Sequence, residues 1–263
     1  MMEKESIFRK IWNVIYPVIA LFVIYFAVVY GGIFLFSSTT CAGSGTVDDY
    51  MNKYFSLITI IALAVIIVVE YIFYRNDYVA ADREAIKKPV NIAVLIVFGA
   101  ALSHGMNLLV SLFNINGIFG SYEAVEAEIF APGVIFVIIR AMILAPLAEE
   151  LVFRALVFRR LKGYTNFWVA ALVSSALFGL YHMNLGQGIY AFLFGIALSA
   201  VYDRFRNYFA PVLVHFAANL LSVILQYSKA AYPQISWYIV AMVVTLAVSA
   251  VLYVLVIRKI GRN

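Results

Sequence analysis

Long apolar runs, separated by short polar segments, make up most of this chain. A helix needs about 20 apolar residues to cross the hydrocarbon core of a bilayer, so each long run is a candidate span. On that rule the pattern predicts about eight transmembrane helices. They lie at roughly 11–36, 54–74, 91–113, 130–153, 166–183, 188–203, 209–226 and 236–257. The predicted fold class is therefore all-α, a polytopic membrane helix bundle.

The composition agrees with a membrane protein and excludes an ordinary soluble domain. Of the 263 residues, 65% are hydrophobic and 13% are charged, whereas a soluble domain is nearer half apolar. The polar stretches between the apolar runs are no longer than loops. We therefore predict a single membrane domain over 1–263, with scaffold helices in 1–115, the polar signals in 130–226 and a final span at 236–257.

The distribution of lysine and arginine predicts the orientation of the bundle. If the N-terminus is cytoplasmic, the only basic residues in the segments on the outer side of the membrane are Lys53 and Lys229. The cytoplasmic segments then hold Lys4, Arg9, Lys10, Arg75, Arg83, Lys87, Lys88, Arg159, Arg160, Lys162, Arg204, Arg206, Arg258, Lys259 and Arg262. Cytoplasmic loops are enriched in basic residues, so both termini are predicted to be cytoplasmic. Basic residues scattered over five segments form no single face for nucleic acid, and no nucleic-acid partner is predicted.

Against this apolar background, ionisable residues concentrate in the second half of the chain. A charge at the bilayer centre costs about 2.5–3.5 kcal/mol on insertion scales, so charges kept there usually face a wet cavity or take part in chemistry. Glu150 and Arg154 are four residues apart and share a helix face, which is the spacing of an ion pair. Their pairing would leave the neighbouring Glu149 to face a cavity. Pro146 would free a backbone carbonyl close to this site and could widen the helix.

Two further pairs at helical spacing follow on the next spans. His182 comes four residues after Phe178, and Asn219 comes four residues after His215. A histidine at membrane depth can orient a water, move a proton or bind a metal, and an asparagine can donate to a developing oxyanion. With Glu149 as general base, these groups would suffice to hydrolyse an amide without a covalent intermediate. No serine lies in a Gly-x-Ser-x-Gly elbow, which disfavours a nucleophile triad.

These segments resemble the motifs of the CPBP (CAAX protease and bacteriocin-processing) family, also called Abi, which are intramembrane glutamate proteases. The family pattern is Glu-Glu-x-x-x-Arg, then Phe-x-x-x-His, then His-x-x-x-Asn on successive helices, and all three occur here in order within 130–226. The resemblance implies that Glu149 and His182 activate the water and that His215 and Asn219 stabilise the oxyanion. It also implies that Glu150 and Arg154 hold the site together; Phe178 would shape the pocket.

Two other polar residues in the predicted spans are candidates for substrate contact. Arg140 precedes Glu149 on the same predicted helix and could hold a substrate carboxylate. His104 lies on the third span close to Asn107, where a buried polar contact and a substrate contact are both open. The predicted partners are the lipid bilayer and a membrane-bound peptide or protein substrate, and the sequence leaves the oligomeric state open.

Three other functions fit some of these residues. In a zinc-dependent version of the protease, Glu149, His182 and His215 would bind the metal, since two histidines and a carboxylate can form a catalytic zinc site; the metal-free scheme needs no cofactor. A transporter would also use intramembrane carboxylates and histidines, but no internal repeat supports one. A non-catalytic membrane protein, such as one that confers immunity to a secreted peptide, remains open.

The positions of the site residues along their helices predict where the cavity lies. At a rise of about 1.5 Å per residue, Glu149 lies about 15 Å from the end of its helix near Arg159, and His215 about 9 Å from residue 209. His182 would lie about 24 Å from residue 166. The helices must tilt for these residues to meet. We expect a site partway into the cell membrane, in a cavity that opens to the cytoplasm.

Overall fold

The regular elements of the chain are all helical within the part that the computed structural model describes, residues 6–40, 47–77, 86–113, 133–228 and 234–254. Three long helices come first: α1 (Ile7–Thr40), α2 (Val47–Asn76) and α3 (Pro89–Leu112). A segmented helix follows, made of α4 (Val134–Val137), a π-helical stretch π1 (Ile138–Leu144), α5 (Ala145–Glu150), a second π-helical stretch π2 (Leu151–Phe158) and α6 (Arg159–Tyr164). The last four are α7 (Phe167–Tyr181), α8 (Leu185–Phe205), α9 (Phe209–Ser228) and α10 (Ile235–Leu252).

The predicted class, a polytopic helical membrane bundle, is confirmed. Six helices of the described chain are long and apolar enough to cross a bilayer: Ile7–Leu35, Tyr54–Asn76, Pro89–Leu112, Leu185–Phe205, Phe209–Ser228 and Ile235–Leu252. The other two predicted spans, 130–153 and 166–183, correspond to the segmented helix and to the 15-residue α7. The exact number of spans stays a prediction, and both termini lie outside the described residues.

Two helices begin where an asparagine caps them. The Asn166 side chain accepts a hydrogen bond from the Val169 N–H at the start of α7, and Asn184 accepts one from the Gln187 N–H at the start of α8. A side-chain acceptor at this position satisfies one of the N–H groups that the first helical turn leaves without a partner. Because of this cap, α8 begins three residues before the apolar run that predicts a span at 188–203.

The segmented helix lies at the centre of the bundle. Every residue of π2 is buried. Helix α2 packs along π1, α5 and π2, while α1, α7 and α8 pack on π2 and α9 packs on π1 and α5. The glutamate pair of the sequence motif ends α5, so it lies between two π-helical stretches. Single π-helical turns inside α-helices occur frequently at functional sites.

Polar contacts hold several helix ends together at one end of the bundle. Arg160 of α6 donates to Asp77 Oδ2 at 2.5 Å and to two groups of α1, the Asn13 carbonyl and the Tyr16 hydroxyl, both at 2.6 Å. Lys162 forms an ion pair with Asp203 near the end of α8. The start of α1 and the ends of α2, α6 and α8 therefore lie together, as the alternating spans of the sequence prediction require.

Helices α3 and α9 approach each other closely at a glycine. A Cβ atom added to Gly99 would lie 2.9 Å from the Val214 carbonyl carbon, which is closer than real Cβ atoms approach other groups. Val214 belongs to a buried apolar cluster and is itself fully buried. Because His215 is the next residue, the close approach at Gly99 lies directly beside this histidine.

Candidate active site

Four of the predicted catalytic residues line a single cavity of about 460 Å³ inside the bundle. Glu149 reaches it from α5, His182 from the end of α7, and His215 and Asn219 from α9. The structure thus brings together residues from three helices that the sequence separates by up to 70 positions. The side chains therefore meet in one cavity, although their positions along the helices differ.

Adjacent glutamates at the end of α5 point in different directions, because successive residues of a helix are rotated by about 100°. Glu149 lines the cavity and keeps 7% of its surface exposed, whereas Glu150 is fully buried. The two carboxylates therefore have different surroundings and can have different roles.

Glu150 forms an ion pair with Arg154, as their spacing predicts. The Arg154 Nη1–Glu150 Oε1 and Arg154 Nε–Glu150 Oε2 distances are both 3.3 Å, and both side chains are fully buried. Only the Nη1 contact has the geometry of a hydrogen bond, so the pair is held mainly by charge. The guanidinium also lies 4.3 Å from the centre of the Phe178 ring, a cation–π contact.

The absence of a side chain at Gly195 of α8 makes room for Arg154. A Cβ atom at this position would lie 2.8 Å from Arg154 Nη2 and 2.9 Å from Ser175 Oγ. Arg154 Nη2 and Ser175 Oγ have no hydrogen-bond partner within the described residues. The buried guanidinium therefore fits a space bounded by α8, α7 and its own helix.

His215 joins both glutamates. Its Nδ1 lies 2.8 Å from Glu150 Oε1, and its Nε2 lies 3.8 Å from Glu149 Oε2. An ionised carboxylate only accepts hydrogen bonds, so this contact places a proton on Nδ1 and turns Nε2 toward Glu149 and the cavity. Helical spacing predicts a pairing of Glu150 with Arg154 alone. The contact with His215 joins residues 65 positions apart, so local spacing could not predict it.

The ring of His182 is oriented by its own helix. Nδ1 lies 2.8 Å from the Phe178 carbonyl oxygen, which can only accept, so Nδ1 carries the proton and Nε2 is left as an acceptor. The Phe178 ring lies edge-on to the rings of His182 and His215, at centroid distances of 4.8 and 6.0 Å. Phe178 therefore separates the two histidines and forms one wall of the cavity, as expected of a residue that shapes the pocket.

Asn219 is anchored to the segmented helix. Its Nδ2 donates to the Ala141 carbonyl of π1 at 2.7 Å. An amide nitrogen has two hydrogens, so this bond uses one of them. Both residues line the cavity.

The two candidates for substrate contact differ in position. Arg140, in π1, lines the cavity, whereas His104 is absent from the described residues that form its wall. Asn107, one turn further along α3 than His104, does line it. His104 is partly buried within the bundle and interacts with neighbouring groups there.

Helices assigned to the scaffold also contribute to the cavity. Phe22, Tyr25 and Phe26 of α1 and Thr59 of α2 line it beside residues of the catalytic helices. Sequence reasoning did not identify them, because aromatic residues in a span are also typical of packing and of interfacial anchors. Their contribution makes part of the cavity wall aromatic.

Sequence reasoning also overlooked a buried carboxylate on α2. Glu70 is fully buried, and neither of its oxygens accepts a hydrogen bond from any residue in the described ranges. It does not line the cavity. A lone acidic residue within an apolar run is the signal that would have identified it.

The zinc alternative requires three donors around one point. Within the described ranges, no group of three or more histidine, cysteine, aspartate and glutamate side chains has a geometry that could hold a metal ion. Glu149 and His215 approach each other, and His182 keeps Nε2 free while its Nδ1 contacts the Phe178 carbonyl. Whether the chemistry needs a metal therefore stays a prediction.

Comparison with known proteins places the matching region over the site. Residues 131–221 match the family model described as "Type II CAAX prenyl endopeptidase Rce1-like". This region includes the segmented helix, α7, α8 and the part of α9 that carries His215 and Asn219. No solved structure matches the chain.

Similar proteins occur in several bacteria. YdiL of Bacillus subtilis (strain 168), to which membrane peptidase activity is ascribed, is 27% identical over 190 residues, covering 70% of this chain and 78% of YdiL. The UPF0177 protein YxdF of Lactococcus lactis is 35% identical over 79 residues, covering 30% of this chain and 43% of YxdF. An uncharacterized 24.3 kDa protein of Escherichia coli is 36% identical over 99 residues, covering 35% of this chain and 45% of that protein. The chain thus spans less than half of the last two relatives.

Proposed function

We propose, on the match of residues 131–221 to the Rce1-like family model and the similarity to YdiL, that the protein belongs to the CPBP family of membrane peptidases and is an intramembrane endopeptidase of the glutamate type. It would hydrolyse a peptide bond in a membrane-associated or lipidated peptide, using a water activated by glutamate and histidine. The observation that carries the proposal is that the two neighbouring glutamates make different contacts. Glu150 is committed to Arg154 and His215, while Glu149 shares a cavity with His182, His215 and Asn219.

Glu149 is the proposed general base. A water held by Glu149 and the free Nε2 of His182 would give a proton to Glu149 as its oxygen attacks the peptide carbonyl carbon. The tetrahedral intermediate would then collapse, the C–N bond would break, and Glu149 would pass the proton to the leaving nitrogen. The products are a carboxylic acid and an amine, and no covalent enzyme intermediate forms.

His215 and Asn219 are the proposed oxyanion donors. Because Nδ1 of His215 is committed to Glu150, Nε2 donates only in the imidazolium form, whose charge also stabilises an oxyanion. Asn219 would donate from the second hydrogen of Nδ2. Preorganised donors of this kind are the groups that catalysis of acyl transfer requires.

The cavity wall supports a membrane peptide as substrate. The aromatic residues Phe22, Phe26 and Phe194 line it, while Glu149 and Arg140 supply charge of opposite sign. An apolar wall with a few convergent polar groups is typical of a ligand site. We propose that the apolar side chains or the lipid of a substrate lie against this wall and that Arg140 contacts a substrate carboxylate.

The decisive experiment compares Glu149→Gln with a matched carboxylate replacement. Wild type, Glu149→Gln and Glu70→Gln would be purified in detergent and incubated with a membrane-peptide library, with products identified by mass spectrometry. Glu149→Gln should abolish cleavage and remain folded and inserted, whereas Glu70→Gln replaces a buried carboxyl group outside the cavity and should retain activity. Full activity of Glu149→Gln would reject the mechanism.

The same variants separate the protease from a non-catalytic partner protein. If the protein confers a phenotype such as immunity without cleavage, Glu149→Ala keeps that phenotype. If proteolysis underlies the phenotype, Glu149→Ala loses it while the protein level in the membrane stays unchanged.

The role of Arg140 has its own test. Once a cleaved peptide is known, the peptide would be supplied with a free and with an amidated C-terminus. Arg140→Gln should raise KM for the free acid and leave KM for the amide unchanged. Equal turnover of every peptide by Arg140→Gln and wild type would remove the residue from the proposal.

We also propose that the protein lies in the cell membrane with its cavity open to the cytoplasm, supported by the asymmetric distribution of basic residues. Gly163 of α6 is exposed and lies near the helix ends that Arg160 joins. Labelling of a cysteine at this position therefore shows on which side of the membrane these helix ends lie. In a Cys41→Ser background, Gly163→Cys should react with a membrane-impermeant maleimide only after the cells are permeabilised. Labelling in intact cells would contradict the proposed orientation and place these helix ends outside the cell.

A further inference from the structure

A proline beside the glutamate pair leaves one backbone carbonyl of the segmented helix without a donor. The Ala145 N–H donates to the Arg140 carbonyl, five residues earlier, as the spacing of π1 requires. At the same spacing, the Ala141 carbonyl would accept from the backbone nitrogen of residue 146. That residue is Pro146, which has no N–H.

Asn219 supplies the missing donor from another helix. Its Nδ2 donates to the Ala141 carbonyl at 2.7 Å, across 78 residues of sequence. A carbonyl oxygen only accepts, so the contact fixes which end of the Asn219 amide is nitrogen and in which direction it points. Within a membrane-spanning helix a carbonyl without a donor is unfavourable, so this bond favours one orientation of the amide.

We propose that Pro146 is a positioning residue for Asn219, an inference that rests on the proposed function. By denying Ala141 a donor within its own helix, Pro146 keeps this carbonyl available to Asn219. One Nδ2 hydrogen is then used by the carbonyl, and the planar amide holds the second in a fixed direction within the cavity. Because Ala141 and Asn219 both line that cavity, the second hydrogen is available to the substrate oxyanion.

The inference predicts an effect on the chemical step rather than on substrate binding. Pro146→Ala supplies an N–H that can bond the Ala141 carbonyl within the helix and release Asn219. The loss of one oxyanion donor lowers kcat by about 10²–10³-fold in a well-studied protease, and a misdirected donor should lower it by about 10-fold or more, with KM within about two-fold. If Pro146 had only a structural role, Pro146→Ala would lower the amount of folded protein, and the folded fraction would keep the kcat of wild type.

A double-mutant cycle tests the coupling of the two residues. Asn219→Ala and Pro146→Ala should each lower kcat, and the double variant should be no slower than Asn219→Ala, because both act through the same amide. Pro17→Ala provides the matched control, since Pro17 is also a buried proline inside a helix, α1, and does not line the cavity. Its kcat should stay within about two-fold of wild type.

The outcomes separate this inference from the proposed function. If Glu149→Gln is inactive but Pro146→Ala turns over as fast as wild type, the positioning role is rejected and the proposed mechanism stands. Multiplicative effects of Pro146→Ala and Asn219→Ala on kcat would also reject it. If Pro146→Ala does not fold, Pro146→Ser supplies the same N–H, and a folded Pro146→Ser variant with wild-type kcat would overturn the proposal.

Discussion

Glu150 and His215, 65 residues apart in sequence, share a 2.8 Å hydrogen bond in the interior of the bundle. The same carboxylate neutralises Arg154, which is also fully buried. One glutamate thus holds two groups in place: the imidazole of His215 on α9, and the Arg154 guanidinium of its own segmented helix, which lies against Phe178 of α7. This relationship explains why the two neighbouring glutamates of the motif are not interchangeable.

Glu150→Met should destabilise the protein strongly. It leaves Arg154 buried without a counter-charge, and breaking a buried pair in this way costs about 3–5 kcal/mol. Thermal unfolding in detergent, followed by circular dichroism, measures the loss. The double variant Glu150→Met with Arg154→Met should recover much of the stability, because replacing both charges by apolar groups is often neutral.

Activity should not recover in that double variant. His215 would still lack the acceptor that orients Nδ1, so cleavage should stay far below wild type even where unfolding is normal. A double variant that is both stable and fully active would show that Glu150 serves stability alone.

Gly99→Ala should lower both stability and activity. Its added methyl group would meet the Val214 carbonyl of α9, and overpacking of this kind typically costs about 1–3 kcal/mol. Since His215 follows Val214, displacement of α9 should also reduce kcat. Gly163→Ala is the control: a Cβ there meets nothing within 4 Å, so stability should be equal or higher. Equal behaviour of the two variants would contradict the close approach of α3 and α9.

Glu70→Met should raise stability by about 1–3 kcal/mol, because a buried carboxyl group without hydrogen bonds is replaced by an unbranched apolar side chain. The pair of oxygens has no partner among the described residues, so their removal breaks no hydrogen bond. Unfolding in detergent, compared with wild type at the same pH, provides the measurement. A clear decrease in stability would indicate a partner that Glu70 needs.

Peptidase activity should persist after exhaustive chelation. The proposed chemistry uses Glu149 and His182 to activate water, with no metal as a Lewis acid. Purified protein would be dialysed against a chelator, its zinc content measured by mass spectrometry, and cleavage assayed before and after zinc is restored. Loss of activity on chelation with recovery on addition of zinc would instead favour the zinc-dependent protease.

The order of residues determined what depends on neighbours within one helix. Apolar runs of membrane length predict the helical bundle, since a backbone in lipid must satisfy its hydrogen bonds internally. The spacing of Glu150 and Arg154 predicts their ion pair, because residues four apart share a helix face. Pro146 likewise indicates a local departure from α-helical geometry, and π1 lies directly before it. No comparable residue predicts π2, which contains neither proline nor glycine.

Tertiary structure alone decided which helices share the site. Nothing in local periodicity joins Glu150 to His215, Asn219 to Ala141, or the aromatic residues of α1 to the cavity. These contacts depend on packing between helices that are far apart in sequence, with close approaches at glycines such as Gly99 and Gly195. The motifs specified the chemical groups and, through the spacing of Glu150 and Arg154, the glutamate that faces the cavity, while packing between helices determined which of these groups meet.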